Sequence, residues 1–304
     1  MVIRRFGACF RRACALRSNT RGSAVMTPSE LIGRVPDLPS LPEVYFQVDR
    51  VLQDPDFSLQ ELSEVIEREP AIAARLLRLA NSALYGFSGH IDTIQRAVTM
   101  IGSDEIRDLI LSSAVLSAFK RMPVGAVSMR SFWEHSIACG LAARNIAALT
   151  GAANMQRYYI YGLLHDIGRL VLFLALPQRM GDLLIRHRNS EGHLVDLEHD
   201  ALGFTHETVG GTLLEGWRLP RALVGVVARH HCNGEESGAG REAAVVHFAD
   251  LTVNAMSMGS SGTRLVPELD ERAWERVGLE VDEIPILCAD TLEQFENVVA
   301  AFFD

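Results

Sequence analysis

Apolar residues recur along this chain at three- and four-residue intervals, the spacing that gathers them on one helix face. Leu59, Leu62, Val65 and Ile66 follow this rule directly after Ser58-Leu-Gln-Glu61, a capping-box pattern that predicts a helix start at Ser58. Glu69-Pro70 ends that helix, and Pro70 suits the first turn of a second one carrying the stripe Ile72, Leu76 and Leu79. Ahead of both, Pro36-Asp-Leu-Pro39-Ser-Leu-Pro42 holds the backbone extended, because each proline disfavours the helical region for the residue before it.

The same periodicity predicts helices over 94–101, 105–119, 130–149, 155–176, 178–188, 205–216, 221–231 and 242–258. The segment from Val266 is acidic and ends in an amphipathic helix with Leu292, Phe295, Val299 and Phe302. No run alternates as a strand would, so the pattern predicts an all-α fold. Met122-Pro-Val-Gly-Ala126 is the expected boundary between an N-terminal helical half (28–122) and a second half (123–258). Residues 259–304 are read as a C-terminal acidic helical extension.

Residues 1–27 carry Arg4, Arg5, Arg11, Arg12, Arg17 and Arg21 with no acidic residue. They are read as an N-terminal extension, either a disordered basic tail or the product of a start codon upstream of a true start at Met26, ahead of a transit peptide.

Composition narrows the class. A formal net charge of -9 disfavours a general nucleic-acid surface and an anionic membrane face, both of which call for basic charge. The longest apolar run, Leu170 to Leu176, falls far short of the roughly 20 residues that span a bilayer. Five scattered cysteines with no CxxC pair support neither a disulfide framework nor a cysteine zinc site. A soluble protein of a reducing, cytoplasmic compartment is expected.

The chemistry lies in the second half, where His135, His165, Asp166, His206, His230, His231, His247 and Asp250 fall on or beside apolar helices. Neighbouring His165 and Asp166 would point about 100° apart on a continuous helix, an awkward pair for one ion. Two ions some 3.5–4 Å apart remove the difficulty, because the carboxylate can bridge them. His230-His231 poses the same geometry, and Asp250 adds a terminal carboxylate. Mixed imidazole and carboxylate donors suit Fe, Mn or Zn, as one or two divalent ions. His187, His193 and His199 stand in polar surroundings and are assigned to the surface, and His90 to a turn. His247, three residues before Asp250, fits a ligand or the partner of a ligand equally well. Trp133, Trp217 and Trp274 are read as packing anchors, and Asn81-Ser-Ala-Leu-Tyr-Gly86 as a helix terminus and turn.

At this point the sequence resembles a known group. His135, His165, Asp166 and Asp250 match the H…HD…D ligand pattern of the HD superfamily, and His206 and His230-His231 match ligands added in its HD-GYP branch of cyclic-di-GMP phosphodiesterases. The motifs Leu38-Pro-Ser-Leu-Pro42, Asn81–Gly86, Phe132-Trp-Glu-His-Ser136, Gly162-Leu-Leu-His-Asp-Ile-Gly168 and Trp217-Arg-Leu-Pro220 resemble the HDOD family in order, from about Pro36 to Asp250. The resemblance implies an HD-like helical bundle preceded by a packed N-terminal helical half. It also implies a bacterial regulatory output module that works with another signalling protein.

Departures bear on activity. The stretch after His231 lacks the Gly-Tyr-Pro of HD-GYP enzymes, Ser131 stands where they place a metal-binding Glu, and Arg169 replaces the family's Lys. The expected function is therefore a metal-binding signalling module without cyclic-di-GMP phosphodiesterase motifs. The alternative is a metal-dependent phosphohydrolase acting on a nucleotide or other phosphoester, with Asp166 and Arg169 catalytic. A di-iron redox or oxygen sensor is a third reading.

Overall fold

The computed structural model describes residues 26–36, 38–119, 127–231 and 240–303. The expected boundary at 122–126, the basic N-terminal stretch and the segment after His231 lie outside the described residues. The regular elements among those described are all helices, with no strand.

The first half is built from α2 (Glu43–Leu52), α3 (Leu59–Glu67), α4 (Pro70–Ala80), α5 (Ile94–Ile101) and α6 (Ser103–Phe119). Ser58 caps α3, its hydroxyl accepting from the Glu61 N–H at 3.1 Å. The faces predicted for α3 and α4 are buried at Leu62, Val65, Ile66, Ile72, Leu76 and Leu79. Asn81 stitches the following loop in place, donating to the Leu77 and Ile91 carbonyls and accepting from the Ile91 N–H at 2.7 Å. Gly86 turns the chain at φ +62°, a conformation that favours glycine.

The second half comprises α7 (Met129–Leu149), α8 (Gln156–Leu164), α9 (Ile167–Ala175), α10 (Pro177–Arg188), α11 (Leu194–Leu202), α12 (His206–Gly216), α13 (Arg221–Val227) and α14 (Arg241–Ala255). Helix α7 is apolar on nearly every side, as a central helix must be, and packs against α8 and α14. Two glycines permit close helix–helix approaches. A Cβ at Gly162 would strike the Cys139 carbonyl where α8 crosses α7, and one at Gly168 would strike the His206 carbonyl where α9 meets α12.

Two further elements tie the halves together. Helix α1 (Pro28–Gly33), started by a Thr27–Glu30 capping box, lies against α12 and α9. After α15 (Glu271–Val277), which packs on α14, helix α16 (Ile284–Phe303) spans from α7 to α4. Asn297 accepts from the Ala83 N–H at 2.7 Å, and Asn145 of α7 donates to Thr291 and Gln294. The expected face of α16 is buried at Val299 and Phe302 and packed at Phe295, but Leu292 is 56% exposed, and Leu287, Thr291 and Val298 are buried as well. A helix clamped between two others buries more than one stripe, and a single amphipathic face does not capture that.

No single helix among the described residues is long and apolar enough to cross a membrane. The apolar run in α9 belongs to the core, with Leu170, Val171 and Leu172 fully buried.

Candidate metal centre

One continuous helix was expected over 155–176, and the structure breaks it at the residues that matter. Helix α8 stops at Leu164, α9 starts at Ile167, and Asp166 sits between them at φ -96°, ψ 9°. At this break the Asp166 Oδ2 lies 3.3 Å from the His165 Nε2. Helix α13 likewise ends at Val227, short of the expected 231, so His230 and His231 lie in the turn beyond it. Both adjacent pairs lie at or just beyond a helix end.

Asp166 lies between two groups of donors. Its Oδ2 faces His165 and, at 3.9 Å, the Nε2 of His135 from α7. Its Oδ1 faces His206 Nε2 at 3.1 Å and His230 Nε2 at 3.8 Å. Asp250 of α14 closes the first group, with Oδ1 3.1 Å from His135 Nε2 and 3.7 Å from His165 Nε2. Asn254, one turn on, holds that oxygen with a 2.7 Å hydrogen bond. In the second group His206 Nε2 lies 3.3 Å from His230 Nε2 and 3.1 Å from His231 Nε2. All seven residues picked from the sequence as ligands are thus gathered in one place, each buried.

The outward ring nitrogens are already engaged. His165 Nδ1 lies 2.7 Å from the Gly162 carbonyl and His230 Nδ1 2.9 Å from the Val227 carbonyl, so each must donate there. His206 Nδ1 donates to Glu198 Oε2 at 2.6 Å. That leaves their Nε2 atoms as the groups facing the centre. His165 Nε2 and Asp166 Oδ1 are buried with no hydrogen-bond partner. Lone pairs of His206 and His230 aimed at each other across 3.3 Å repel unless a proton or cation stands between them. The donor set therefore fits one or two divalent ions of the Zn, Fe or Mn class.

Without a cation, protons hold the cluster together. Burial works to lower His165, but the Asp166 and Asp250 carboxylates beside it win and raise it to about 10. His206, opposed by burial and by Arg169, is raised to about 9 by Glu198 and Asp166. His230 and His231 are pushed well below the usual histidine range, by burial first and then by their charged neighbours.

Arg169, one turn into α9, is the internal cation. It is 2% exposed and donates to Asp166 Oδ2 at 2.9 Å and to Ser261 at 2.6 Å. Its Nε lies 3.6 Å from Glu198 Oε1. Two neighbours of the cluster escaped the sequence reading. Cys139 was findable from its position one turn beyond His135 on the same helix, but Glu198 sits in a stretch that reads as polar surface.

His187 corrects the surface assignment: it is buried, with Nδ1 against the Gly192 carbonyl and Nε2 accepting from the Arg264 N–H at 2.8 Å. The loop containing Arg264 folds over it, which its local sequence does not reveal. His199 and His90 are exposed, and His193 is half-buried opposite Glu268. His247 is buried beside the cluster without joining its donor groups, and accepts weakly from the Asp270 N–H at 3.4 Å. It helps line a cavity of about 100 Å³ that reaches Arg169 and His231 and is bordered by His193, Asp196 and Glu268.

The sequence matches the HDOD domain family over residues 38–233. An uncharacterised protein of Treponema pallidum is 27% identical over 206 residues, which is 67% of this chain and 39% of that protein. The chain spans about two fifths of the length of the curated relatives it matches. Among solved structures, an HDOD domain protein of unknown function from Geobacter sulfurreducens superposes with a TM-score of 0.73 at 25% identity, covering 90% of this chain and 95% of that one. A candidate phosphohydrolase from Shewanella amazonensis superposes at 0.68 and 22% identity, covering 90% and 97%.

Proposed function

Because this chain belongs to the HDOD family, we propose that it is a regulatory signalling module built around a His/Asp metal centre, and not a cyclic-dinucleotide phosphodiesterase. The observation that carries the metal centre is the division of Asp166, with one oxygen toward His165 and His135 and the other toward His206 and His230. His135, His165 and Asp250 would hold one ion, and His206, His230 and His231 a second, with Asp166 shared. Bound there, divalent ions supply Lewis acidity and fix the helices that carry their ligands.

Size argues for the module. Among the described residues, a cavity that reaches the centre holds about 100 Å³, whereas sites for nucleotide-sized ligands run to several hundred. The partner proposed for such a module is another signalling protein.

The test is metal content of the tag-free protein by plasma mass spectrometry. Near two Fe, Mn or Zn per chain is expected, lost in His165→Ala and Asp166→Ala. No metal after anaerobic reconstitution would overturn the metal-centre reading.

One observation favours a phosphohydrolase of small phosphoesters as a second reading: Arg169 borders the cavity while bonded to Asp166. Its guanidinium could neutralise a phosphate oxygen there. Metal-dependent turnover of small aryl phosphoesters, abolished in Asp166→Ala, would establish it over the module.

A further inference from the structure

Cys139 occupies a position that the H…HD…D pattern does not assign. It lies on α7 four residues after His135, so both side chains leave the same helix face one turn apart, the spacing at which two residues chelate one ion. It is fully buried. Its Sγ is 3.5 Å from His135 Nε2 and 3.9 Å from Asp250 Oδ1. The four candidate donor atoms of His135, Cys139, His165 and Asp250 all lie within 4.8 Å of one another. Among them His165 Nε2 is buried without a hydrogen-bond partner.

The ordinary role for such a thiol is to fill space and donate weakly to a carboxylate. At 3.9 Å the contact to Asp250 is too long to hold the sulfur in place. Its distance to His135 is more telling. A tetrahedral ion with zinc-like bonds of about 2.3 Å to sulfur and 2.0–2.1 Å to nitrogen sets those two ligands about 3.6 Å apart, and the structure has them at 3.5 Å.

We infer that Cys139 is a thiolate ligand in the His135–His165–Asp250 half of the centre, which therefore takes a zinc-class or ferrous ion in preference to manganese or magnesium. Softness provides the selection, since thiolate favours Zn and Fe while oxygen-rich sites suit Mn and Mg. This inference rests on the metal-centre reading above.

The test is cobalt substitution of the full chain. Cobalt(II) gives visible ligand-field bands wherever it binds and a near-ultraviolet charge-transfer band only when a thiolate binds it. Cys232 adjoins His231 in the sequence, so the comparison includes Cys232→Ser. The charge-transfer band is expected in the unaltered protein and in Cys232→Ser, and lost in Cys139→Ser and Cys139→Ala while the visible bands remain. Visible bands without a charge-transfer band in the unaltered protein, or a band surviving both Cys139 variants, would overturn the inference and leave the metal centre standing. No cobalt bound at all would overturn both. Should the Cys139 variants not fold, X-ray absorption of zinc-loaded Cys232→Ser decides instead. A zinc–sulfur shell near about 2.3 Å supports the ligand, and a shell of nitrogen and oxygen alone refutes it.

Discussion

Glu198 Oε2 accepts from His206 Nδ1 at 2.6 Å and from the His206 backbone N–H at 2.9 Å, with both side chains sealed from solvent. One carboxylate thus orients the first residue of α12 through its ring and its backbone together. The pairing fixes which nitrogen of His206 faces the centre and makes that nitrogen more basic.

Replacing Glu198 with Gln keeps the shape and removes the charge. Zinc affinity is expected to fall about 10- to 100-fold, the usual effect of losing a carboxylate behind a ligating histidine. Competition against a chelator of known strength measures this, and unchanged affinity would show that Glu198 serves packing alone.

Asp166 and Arg169 form a buried pair at 2.9 Å. In the metal-free protein Asp166→Ala leaves the guanidinium without its nearest counter-charge, a loss of about 3–5 kcal/mol. Adding Arg169→Met is expected to restore much of that stability. Urea denaturation in the presence of chelator, run as a double-mutant cycle, separates the pair from the individual side chains.

Protons and metal compete for the same nitrogens. With His165 raised to about 10 and His206 to about 9, both rings are protonated at pH 7 when no metal is bound. Their pKa values lie above the unfolded value, so their contribution to metal-free stability is full below about pH 6.5 and is lost as pH rises through 9 and 10. Metal loading runs the opposite way and weakens in acid. Zinc added at pH 7 in weak buffer is expected to release about three protons per chain, two from these rings and one from the Cys139 thiol, read by a pH indicator; release of one or none would refute protonated rings in the metal-free site.

Asp108 of α6 offers a pH test outside the centre. Burial raises its carboxyl to about 6, despite Arg107 and Arg157 nearby. Because the folded value lies above the unfolded one, the folded state binds the proton more tightly, and this residue's contribution to stability grows as pH falls from 6 toward 4. Asp108→Asn is expected to stabilise the protein at pH 7 by on the order of 2 kcal/mol and to have no effect below about pH 4. Thermal melts across that range provide the measurement.

Much of the fold can be read from local pattern. Ser58 caps a helix because its hydroxyl reaches the Glu61 N–H two peptide units inside it, an interaction that needs no partner from elsewhere. The Ile72, Leu76 and Leu79 stripe is buried because helical period places those residues on one side. Leu292 shows the limit: the same rule turned it inward, but α16 lies between α4 and α7, and those neighbours choose which faces are covered.

The seven candidate ligands were likewise visible as residue types on separate apolar helices, since few other arrangements leave so many His and Asp side chains in apolar surroundings. The break between α8 and α9 was not, because the run 155–176 is apolar enough to continue as one helix. It is the packing of α9 on α12, through Gly168, that accompanies the turn at Asp166. Glu198 and the buried His187 belong to the same category.

By itself, then, the amino-acid sequence determined the helices, their caps and the chemical identity of the donors, because these depend on residues within a few positions of one another. The tertiary structure alone decided which atoms face each other across the centre, how Asp166 divides between two groups of histidines, and how small a cavity reaches them. Those depend on helices far apart in the chain meeting at one place, and local periodicity carries no information about distance between helices.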